Sequence, residues 1–306
     1  MLGLGTSINK SSSSESAFIA GRSSSFTGLL DESYGGSASA AYSVRRLSSS
    51  YSGKALQIRR VSDNVEVDVS FDNNNEISLD SAVTNVTEET TGSSTSIITG
   101  AVNLGEFVAN ASYTDADSLG STDSAKVQCW YDQSGSSNDA TQNTAGSQPT
   151  IVSSGALETE NGKPIIRNNG SNTMALPFND QAYKLYSVFN GEGQNILLAP
   201  TYLLVAQSGR TSSPIYSGFT VNDIRKNGSN ITIPATWGDA FTAYASQNLS
   251  YFDIDIASAS NLQLGFQGGA NYPMYSMQEI IFYPDSSTHT ISDIETNINT
   301  FYNIYS

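Results

Sequence analysis

Short runs of alternating apolar and polar residues recur along the chain. In VEVDVSF, the apolar residues Val65, Val67, Val69 and Phe71 alternate with polar ones, which is the pattern of a half-buried antiparallel strand. Further strands are predicted, between turns rich in Gly, Asn, Ser and Pro, at KALQIRRV, AKVQCWY, QPTIV, KPIIR, TYLLVAQS, ITIPAT, YFDIDIAS, LQLGFQG and MYSMQEIIFYP. Residues 72 to 125 are rich in turn formers, and SASAAYSVRRL (37–47) is predicted as a short helix.

A helical period appears at the C-terminus. In HTISDIETNINTFYNIYS, one helical face carries Ile291, Ile294, Ile298, Phe301, Tyr302 and Tyr305. Ser292 and Glu295 have the S-x-x-E spacing of a capping box. Many short strands with one terminal helix predict an all-β fold, an antiparallel β sandwich of the jelly-roll type, with the helix packed across a sheet.

The first 36 residues differ from the rest. They are rich in Ser and Gly, and they contain three small apolar islands at Leu2 and Leu4, Phe18 and Ile19, and Leu29 and Leu30. Linkers usually lack such islands, so residues 1–36 are predicted to be an extended arm that anchors the domain of residues 37–306 to another chain. A flexible terminus is the alternative.

Charge and composition narrow the function. Charged residues make up 14% of the chain and the net charge is -15, which disfavours nucleic acid and anionic membranes as partners. Membrane insertion is not expected, since no apolar run approaches the length of a span. Cys129 is the single cysteine, and MLGLGTSINK lacks the features of a secretory signal. A sequence rich in uncharged polar residues and without a secretory signal is typical of a protein on a virus particle.

Three stretches carry a family resemblance. AAYSVRRLSSSYSGKALQIRRVSDN, WYDQSGSSNDATQNTAGSQPTIV and LETENGKPIIRNNG together resemble the catalytic domain of arabinofuranosidase B, and also modules of phage virion proteins. WYDQSG followed by NDATQ is the specific part. The resemblance runs from about residue 40 to the C-terminus and implies a concanavalin-A-like jelly roll.

The resemblance also implies where catalytic carboxylates should stand. The family's acid lies in a G-G-D-N turn, whereas this chain has GGAN with Ala270 at the acid position. The family's nucleophile is a mid-chain glutamate, and residues 231 to 262 contain no glutamate. Glycoside hydrolysis needs two carboxyl groups, so the sequence predicts that the chain is not an enzyme. The alternative is an arabinofuranosidase-type glycosidase whose carboxylates have moved, with candidates Asp132, Asp139, Asp253 and Glu279.

Aromatic and amide side chains suggest carbohydrate binding. The candidate residues are Trp130, Asp132, Gln133, Trp237 and Tyr272, because aromatic faces stack on sugar rings while acids and amides bind hydroxyl groups. The competing interpretation is that Asp132 and Gln133 satisfy the backbone amides of a turn.

One loop resembles a calcium site. DADSLGSTD offers Asp115, Asp117 and Asp123, but Leu119 occupies a ligand position and no closing glutamate follows. The sequence therefore predicts no cofactor, with calcium as the one alternative.

These observations favour a non-enzymatic phage virion structural protein, either a head decoration or a tail or fibre component. Its expected partners are other virion proteins, bound through the arm, in a homo-oligomeric assembly. Host-surface glycans are a further expected ligand.

Overall fold

A computed structural model describes most of the chain. The described residues are 26–85, 90–91, 94–95, 101–109, 123–168, 172–177, 182–191, 197–199, 202–204, 219–236, 239, 244, 246–256, 262–265 and 275–306.

Strands dominate the described chain, as predicted. In chain order they are β1 (Ala40–Ser43), β2 (Leu56–Arg60), β3 (Glu66–Val69), β4 (Val83–Asn85), β5 (Thr90–Thr91), β6 (Ser94–Thr95), β7 (Ala125–Trp130), β8 (Ala140–Thr141), β9 (Thr150–Ser153), β10 (Ala156–Leu157), β11 (Thr159–Glu160), β12 (Lys163–Pro164), β13 (Ile166–Asn168), β14 (Thr173–Ala175), β15 (Ala182–Asn190), β16 (Leu197–Ala199), β17 (Tyr202–Leu204), β18 (Phe219–Lys226), β19 (Ser229–Asn230), β20 (Gln247–Ile256), β21 (Gln263–Gly265) and β22 (Tyr275–Pro284). The helices are α1 (Leu104–Ala109) and α2 (Ile291–Tyr302), and Leu29–Asp31 and Ala145–Ser147 form short 3-10 turns.

The three longest strands build the centre of one sheet. β15 pairs antiparallel with β20 from Ala182↔Asp255 to Asn190↔Gln247, and with β22 on its other side. β18 extends the sheet beyond β20. The first half of β22 pairs with β13 and its second half pairs with β1. All of these pairings are antiparallel, which confirms the predicted all-β class.

A second layer is formed around β7. Its strands pair in the order β4, β3, β2 and β7, and β7 continues to β8 and β9. The two layers face each other through buried aromatic rings: Trp130 of β7 lies 5.8 Å from Tyr42 of β1, between ring centroids. This is an antiparallel β sandwich whose core is filled by side chains from both inner faces.

The predicted helix at residues 37–47 is wrong. Ala40 to Ser43 form strand β1, with all four residues buried, and Ala40 pairs with Phe282 while Ser43 pairs with Glu279. Pairing with β22 outweighs the helical preference of the alanines, because tertiary packing routinely overrides propensity.

The C-terminal helix α2 is confirmed, with a different N-terminal cap. Thr290 is the N-cap residue, so Ser292 and Glu295 do not form the predicted capping box. Glu295 is instead buried, and Arg225 of β18 donates to it at 2.8 Å. Asn303 ends the helix in the left-handed conformation, with φ 51°.

The described part of the predicted arm packs onto this chain. Leu29 is fully buried in the chain's own core, with Leu30 partly buried against it. Gly28 fits closely over Leu47, because a Cβ on Gly28 would lie 2.1 Å from the Leu47 carbonyl oxygen. The assignment of Leu29 and Leu30 as anchors for another chain is therefore corrected. The other predicted anchors, Leu2, Leu4, Phe18 and Ile19, lie outside the described residues.

In the described part of the chain, no helix combines the length and apolar character needed to cross a membrane.

Candidate functional site

The WYDQSG stretch begins at the end of β7 and turns across the start of β1. Trp130 is fully buried, and its indole N–H donates to the Ser43 carbonyl at 3.3 Å. The ring therefore belongs to the core and joins the two layers. It presents no face on which a sugar could stack.

Asp132 organises the turn through four accepted hydrogen bonds. Its Oδ1 accepts the amides of Ala41 and Ser134, both at 2.8 Å. Its Oδ2 accepts the Ser134 hydroxyl at 2.7 Å and the Asn138 amide at 3.0 Å. A carboxylate has about four lone-pair sites, so this one is fully used inside the protein.

The amide group of Gln133 is also hydrogen-bonded within the chain through both its oxygen and its nitrogen. Its Oε1 accepts the Leu47 amide at 2.7 Å, and its Nε2 donates to the carbonyls of Arg45 at 3.0 Å and Ser43 at 3.3 Å. Together with Asp132 it fixes the segment after β1 to the turn. The prediction that Trp130 and the Asp132 carboxylate contact a sugar is therefore wrong. Both side chains stabilise the fold instead. Trp237 and Tyr272 lie outside the described residues, so their assignment stays a prediction.

A cleft of about 450 Å³ opens beside this turn. We call it the turn cleft. Its walls come from three loops: Leu30, Asp31 and Gly36–Ala38 on one side, Ser48, Ser50 and Tyr51 on the second, and Gln133–Ser136 on the third. The volume falls within the roughly 300–1,000 Å³ of small-molecule sites. The lining is rich in hydroxyl groups, which suits a polyhydroxylated ligand.

Asp31 is the carboxylate that lines the turn cleft. Its Oδ2 accepts the Gly28 amide at 2.7 Å and the Ser49 amide at 2.6 Å, and its Oδ1 accepts the Ser48 hydroxyl at 2.7 Å. Burial acts to raise the pKa of Asp31, but these hydrogen bonds outweigh burial and lower it. An ionised carboxylate with one unused lone pair can accept a hydroxyl group of a ligand.

Tyr51 completes the opposite wall. Its hydroxyl donates to the Lys54 carbonyl at 2.7 Å, and its ring contacts Phe71 edge-on at 6.4 Å between centroids. Burial, with the nearby charges of Asp139 and Asp132, raises the pKa of Tyr51. The ring is thereby held as a neutral phenol in a fixed orientation beside the cleft.

Of the residues that line the turn cleft, only Gln133 was predicted from the sequence as a binding residue. Asp31 falls in the segment predicted as an arm, and Tyr51 belongs to the first of the three stretches that carry the family resemblance. Alternation along a strand carries no information about which loops meet at one end of a sandwich. A weak signal existed in the D-x-S spacing of two of these loops, at residues 31–33 and 132–134, but such residues are common to turns of every kind.

The other carboxylates proposed for hydrolysis lie apart from this cleft. Glu279 is buried, and its carboxylate accepts hydrogen bonds from the side chains of Ser43, Arg45 and Tyr302. Asp253 lies on β20, opposite Asp223 of β18, and Asn222 donates to it at 3.2 Å.

Asp139 stands closest to the turn among these candidates. Its Oδ1 accepts the Asp132 amide at 2.8 Å. Asp31 is the single carboxylate among the residues that line the turn cleft, so a pair of carboxylates does not face one ligand there.

The calcium loop is described only at its end. Asp115 and Asp117 lie outside the described residues, and the Asp123 carboxylate accepts the amides of Ser124 at 2.6 Å and Ser62 at 3.2 Å. Across the described ranges, no group of three His, Cys, Asp or Glu side chains is placed to hold a metal. The predicted absence of a cofactor, with its calcium alternative, stays a prediction.

Comparison with known proteins finds similarity among solved structures. No family model matches the chain, and no curated protein matches it. An arabinofuranosidase complexed with arabinofuranosyl-α-1,2-xylobiose has a TM-score of 0.43 and 15% identity, over 89% of this chain and 64% of that one. A GH54 α-L-arabinofuranosidase soaked with a cyclic sulfate inhibitor has a TM-score of 0.38 and 14% identity, over 87% of this chain and 62% of that one.

The chain thus spans less than two thirds of the length of these enzymes. Both neighbours are arabinofuranosidases, and the sequence motifs of this chain resemble the catalytic domain of arabinofuranosidase B. The neighbours contradict the prediction that the chain is not an enzyme, since both are arabinofuranosidases. Ala270, on which that prediction depended, lies outside the described residues. The virion location, the virion partners and the homo-oligomeric assembly stay predictions.

Proposed function

We propose that the protein recognises carbohydrate in the turn cleft, with arabinofuranosyl-containing glycans as its ligand or substrate class. The observation that supports this proposal is the cleft itself, which has the volume of a small-molecule site and is lined by serines, a tyrosine and one ionised carboxylate. Hydroxyl groups, aromatic rings and carboxylates are the groups that bind sugars. The choice of arabinofuranosyl glycans follows from the sequence motifs shared with arabinofuranosidase B.

The roles of the lining residues follow from their hydrogen bonds. Asp31 has one lone pair left for a ligand hydroxyl, as counted above. Ser136 is exposed at the mouth, and its amide donates to Ser134 Oγ at 3.2 Å. Gly135 lies between them with φ +88°, a conformation that favours glycine, and a Cβ there would meet nothing within 4 Å. The mouth of the cleft is therefore open at this turn.

The test is a calorimetric titration of the full chain with arabino-oligosaccharides. We expect binding that the Ser136→Trp substitution weakens at least tenfold, because an indole at this position fills the mouth of the cleft. Ser52→Trp is the matched control, since Ser52 is exposed on the neighbouring loop but does not line the cleft. Equal binding by both variants would place the ligand elsewhere, and absence of binding to every arabinoside would refute the proposal.

Release of arabinose is measured in the same samples. Release that Ser136→Trp abolishes and Ser52→Trp preserves would make the ligand a substrate. Binding without release would leave recognition as the function of the cleft. The predicted place in a virion is a separate question, and finding the chain absent from purified particles would refute that prediction.

A further inference from the structure

One wall of the turn cleft carries a carboxylate and two hydroxyl groups that are linked by hydrogen bonds. Asp31, Ser48 and Ser50 all line the cleft. The Ser48 hydroxyl donates to Asp31 Oδ1 at 2.7 Å, and Ser48 Oγ lies 2.9 Å from Ser50 Oγ. A hydroxyl has one proton to donate, and that of Ser48 is used on the carboxylate. Ser50 is therefore the donor to Ser48, and the oxygen of the exposed Ser50 is left to accept.

The other bonded side chains of the lining also use their protons inside the protein. The Ser134 hydroxyl donates to Asp132 Oδ2 at 2.7 Å, and the Tyr51 hydroxyl donates to the Lys54 carbonyl at 2.7 Å. The side-chain amide of Gln133 donates to two backbone carbonyls. These groups can offer a ligand only their oxygen lone pairs. In the described lining, the hydroxyl groups of Ser37 and Ser136 remain able to donate.

The charge of the cleft is negative. Asp31 is exposed and forms no ion pair with the described residues, and the described lining contains no Lys, Arg or His. Asp31 is ionised, since burial is outweighed by hydrogen bonds that lower its pKa. Arg46, on the same loop as Ser48, donates to the backbone carbonyls of Ser48 and Ser49 and does not line the cleft. The chain has a net charge of -15, so a cation is attracted here and an anion is repelled.

An ammonium group matches this wall. It carries a positive charge and three donors and has no acceptor, whereas a hydroxyl brings one donor together with two lone pairs that need donors. We propose that the turn cleft prefers a glycan with a protonated primary amine on the sugar unit that reaches Asp31 and Ser50. This preference rests on the proposed function, because it requires that the cleft binds carbohydrate, and it names the group by which glycans are selected.

The experiment is a calorimetric titration of the full chain, at pH 6.5, with methyl α-L-arabinofuranoside and with its 5-amino-5-deoxy analogue. The two compounds differ in one group, which is a hydroxyl in the first and an ammonium in the second. We expect the amino compound to bind about fivefold more tightly, from one exposed ion pair and its charge-assisted hydrogen bonds. The 5-acetamido analogue keeps the nitrogen without the charge and should lose this advantage.

Two substitutions locate the preference. Asp31→Asn should bring the ratio of the two affinities to about 1, because the charge is removed. Glu32→Gln is the matched control, since it changes the net charge equally at the adjacent residue, which does not line the cleft. Asp31 also accepts the amides of Gly28 and Ser49, so a second variant is needed that leaves these bonds intact. Ser50→Ala removes one acceptor from an exposed position and should lower the ratio about twofold.

The outcomes separate this preference from the proposed function. Equal binding of the hydroxyl and amino compounds, blocked by Ser136→Trp, would overturn the preference and leave the proposed function intact. Absence of binding by both compounds and by arabino-oligosaccharides would refute the proposed function and the preference together. An advantage of the amino compound that Asp31→Asn does not reduce, or that Glu32→Gln reduces equally, would reflect general attraction to an acidic chain and would overturn the assigned site. Binding of the amino compound alone supports the preference.

Discussion

Two aspartates beside the same turn differ in how many oxygen lone pairs the protein itself uses. Asp132 accepts four hydrogen bonds from within the chain, whereas Asp31 accepts three and lines an open cleft. Both residues belong to loops rich in serine, and the sequence shows no difference between them. The number of bound donors makes Asp132 a structural residue and Asp31 a candidate ligand residue.

Asp132→Asn should therefore destabilise the fold. The amide replaces one accepting oxygen with an NH₂ group that faces donors, so two hydrogen bonds to a charged acceptor are lost. We expect a loss of about 3 kcal/mol in the free energy of unfolding, measured by urea denaturation. Asp80→Asn is the control, because Asp80 is exposed and should change stability by less than about 0.5 kcal/mol. Equal stability of the two variants would contradict the structural role of Asp132.

His289 gives the stability a pH dependence. Its ring lies 4.6 Å from that of Tyr283 and 5.5 Å from that of Tyr186, between centroids. Burial and the charge of Lys184 lower the pKa of His289 below its usual value. On acidification, the unfolded chain therefore takes up this proton before the folded chain does. The contribution of His289 to the free energy of unfolding is fully present above the pKa of the unfolded chain, about 6.5. It is lost as the pH falls through the lower pKa of the folded chain.

The measurement is the urea midpoint of the protein and of His289→Phe at pH 7.5 and pH 5. We expect the unsubstituted protein to lose more stability between these two pH values than the variant does. Carboxylates titrate in both proteins, so the difference isolates the histidine. An equal loss in the two proteins would show that His289 is not protonated more readily in the unfolded chain.

At the scale of elements, strands with one solvated face were predictable, whereas of two central, covered strands β22 was predicted and β15 was missed. VEVDVSF and AKVQCWY alternate along their length and form β3 and β7. AYKLYSVFN was not predicted, although it forms the central strand β15. β15 is paired on both edges, and consecutive residues from Leu185 to Phe189 are buried, so the alternation disappears. ITIPAT, predicted as a strand, forms none in the described chain.

Helix α2 is held to the sheet by an ion pair that its sequence does not reveal. Glu295 has the spacing of a cap but points inward, where Arg225 donates to both of its oxygens at 2.8 to 3.1 Å. Ile294 and Ile298 are fully buried beside it. The apolar face of the helix was readable from its period. The partner of Glu295 was not, because 70 residues separate the two side chains.

Removing one member of this pair should cost more than removing both. Glu295→Ala leaves the Arg225 guanidinium partly buried without its carboxylate, and we expect a loss of about 3 kcal/mol in the free energy of unfolding. The double variant Arg225→Met with Glu295→Leu should recover most of that loss, since apolar residues of similar size often replace a buried pair without penalty. A double variant as unstable as Glu295→Ala would show that the pair contributes attraction beyond mutual neutralisation.

At the scale of the molecule, loops from distant parts of the sequence meet at one end of the sandwich. The turn cleft joins residues near 30, near 50 and near 135. The turn cleft therefore depends on Leu30, Asp31 and Gly36, which lie in the segment of residues 1–36 that the composition of the sequence assigned to an arm.

Truncation tests where the folded domain begins. Leu29 is fully buried, and Asp31 accepts hydrogen bonds from the Ser48 hydroxyl and the Ser49 amide. Removing residues 1–36 exposes the apolar surface beneath Leu29 and frees those donors, whereas removing residues 1–27 keeps both. We expect the shorter truncation to be the more stable of the two by about 3 kcal/mol, from one buried leucine and its accompanying hydrogen bonds. Urea denaturation of the two truncated chains measures the difference directly. The titration with arabino-oligosaccharides should separate the two truncated chains as well, because Leu30 and Asp31 line the turn cleft. Equal stability of the two truncated chains would show that residues 28–36 belong to the arm and not to the folded domain.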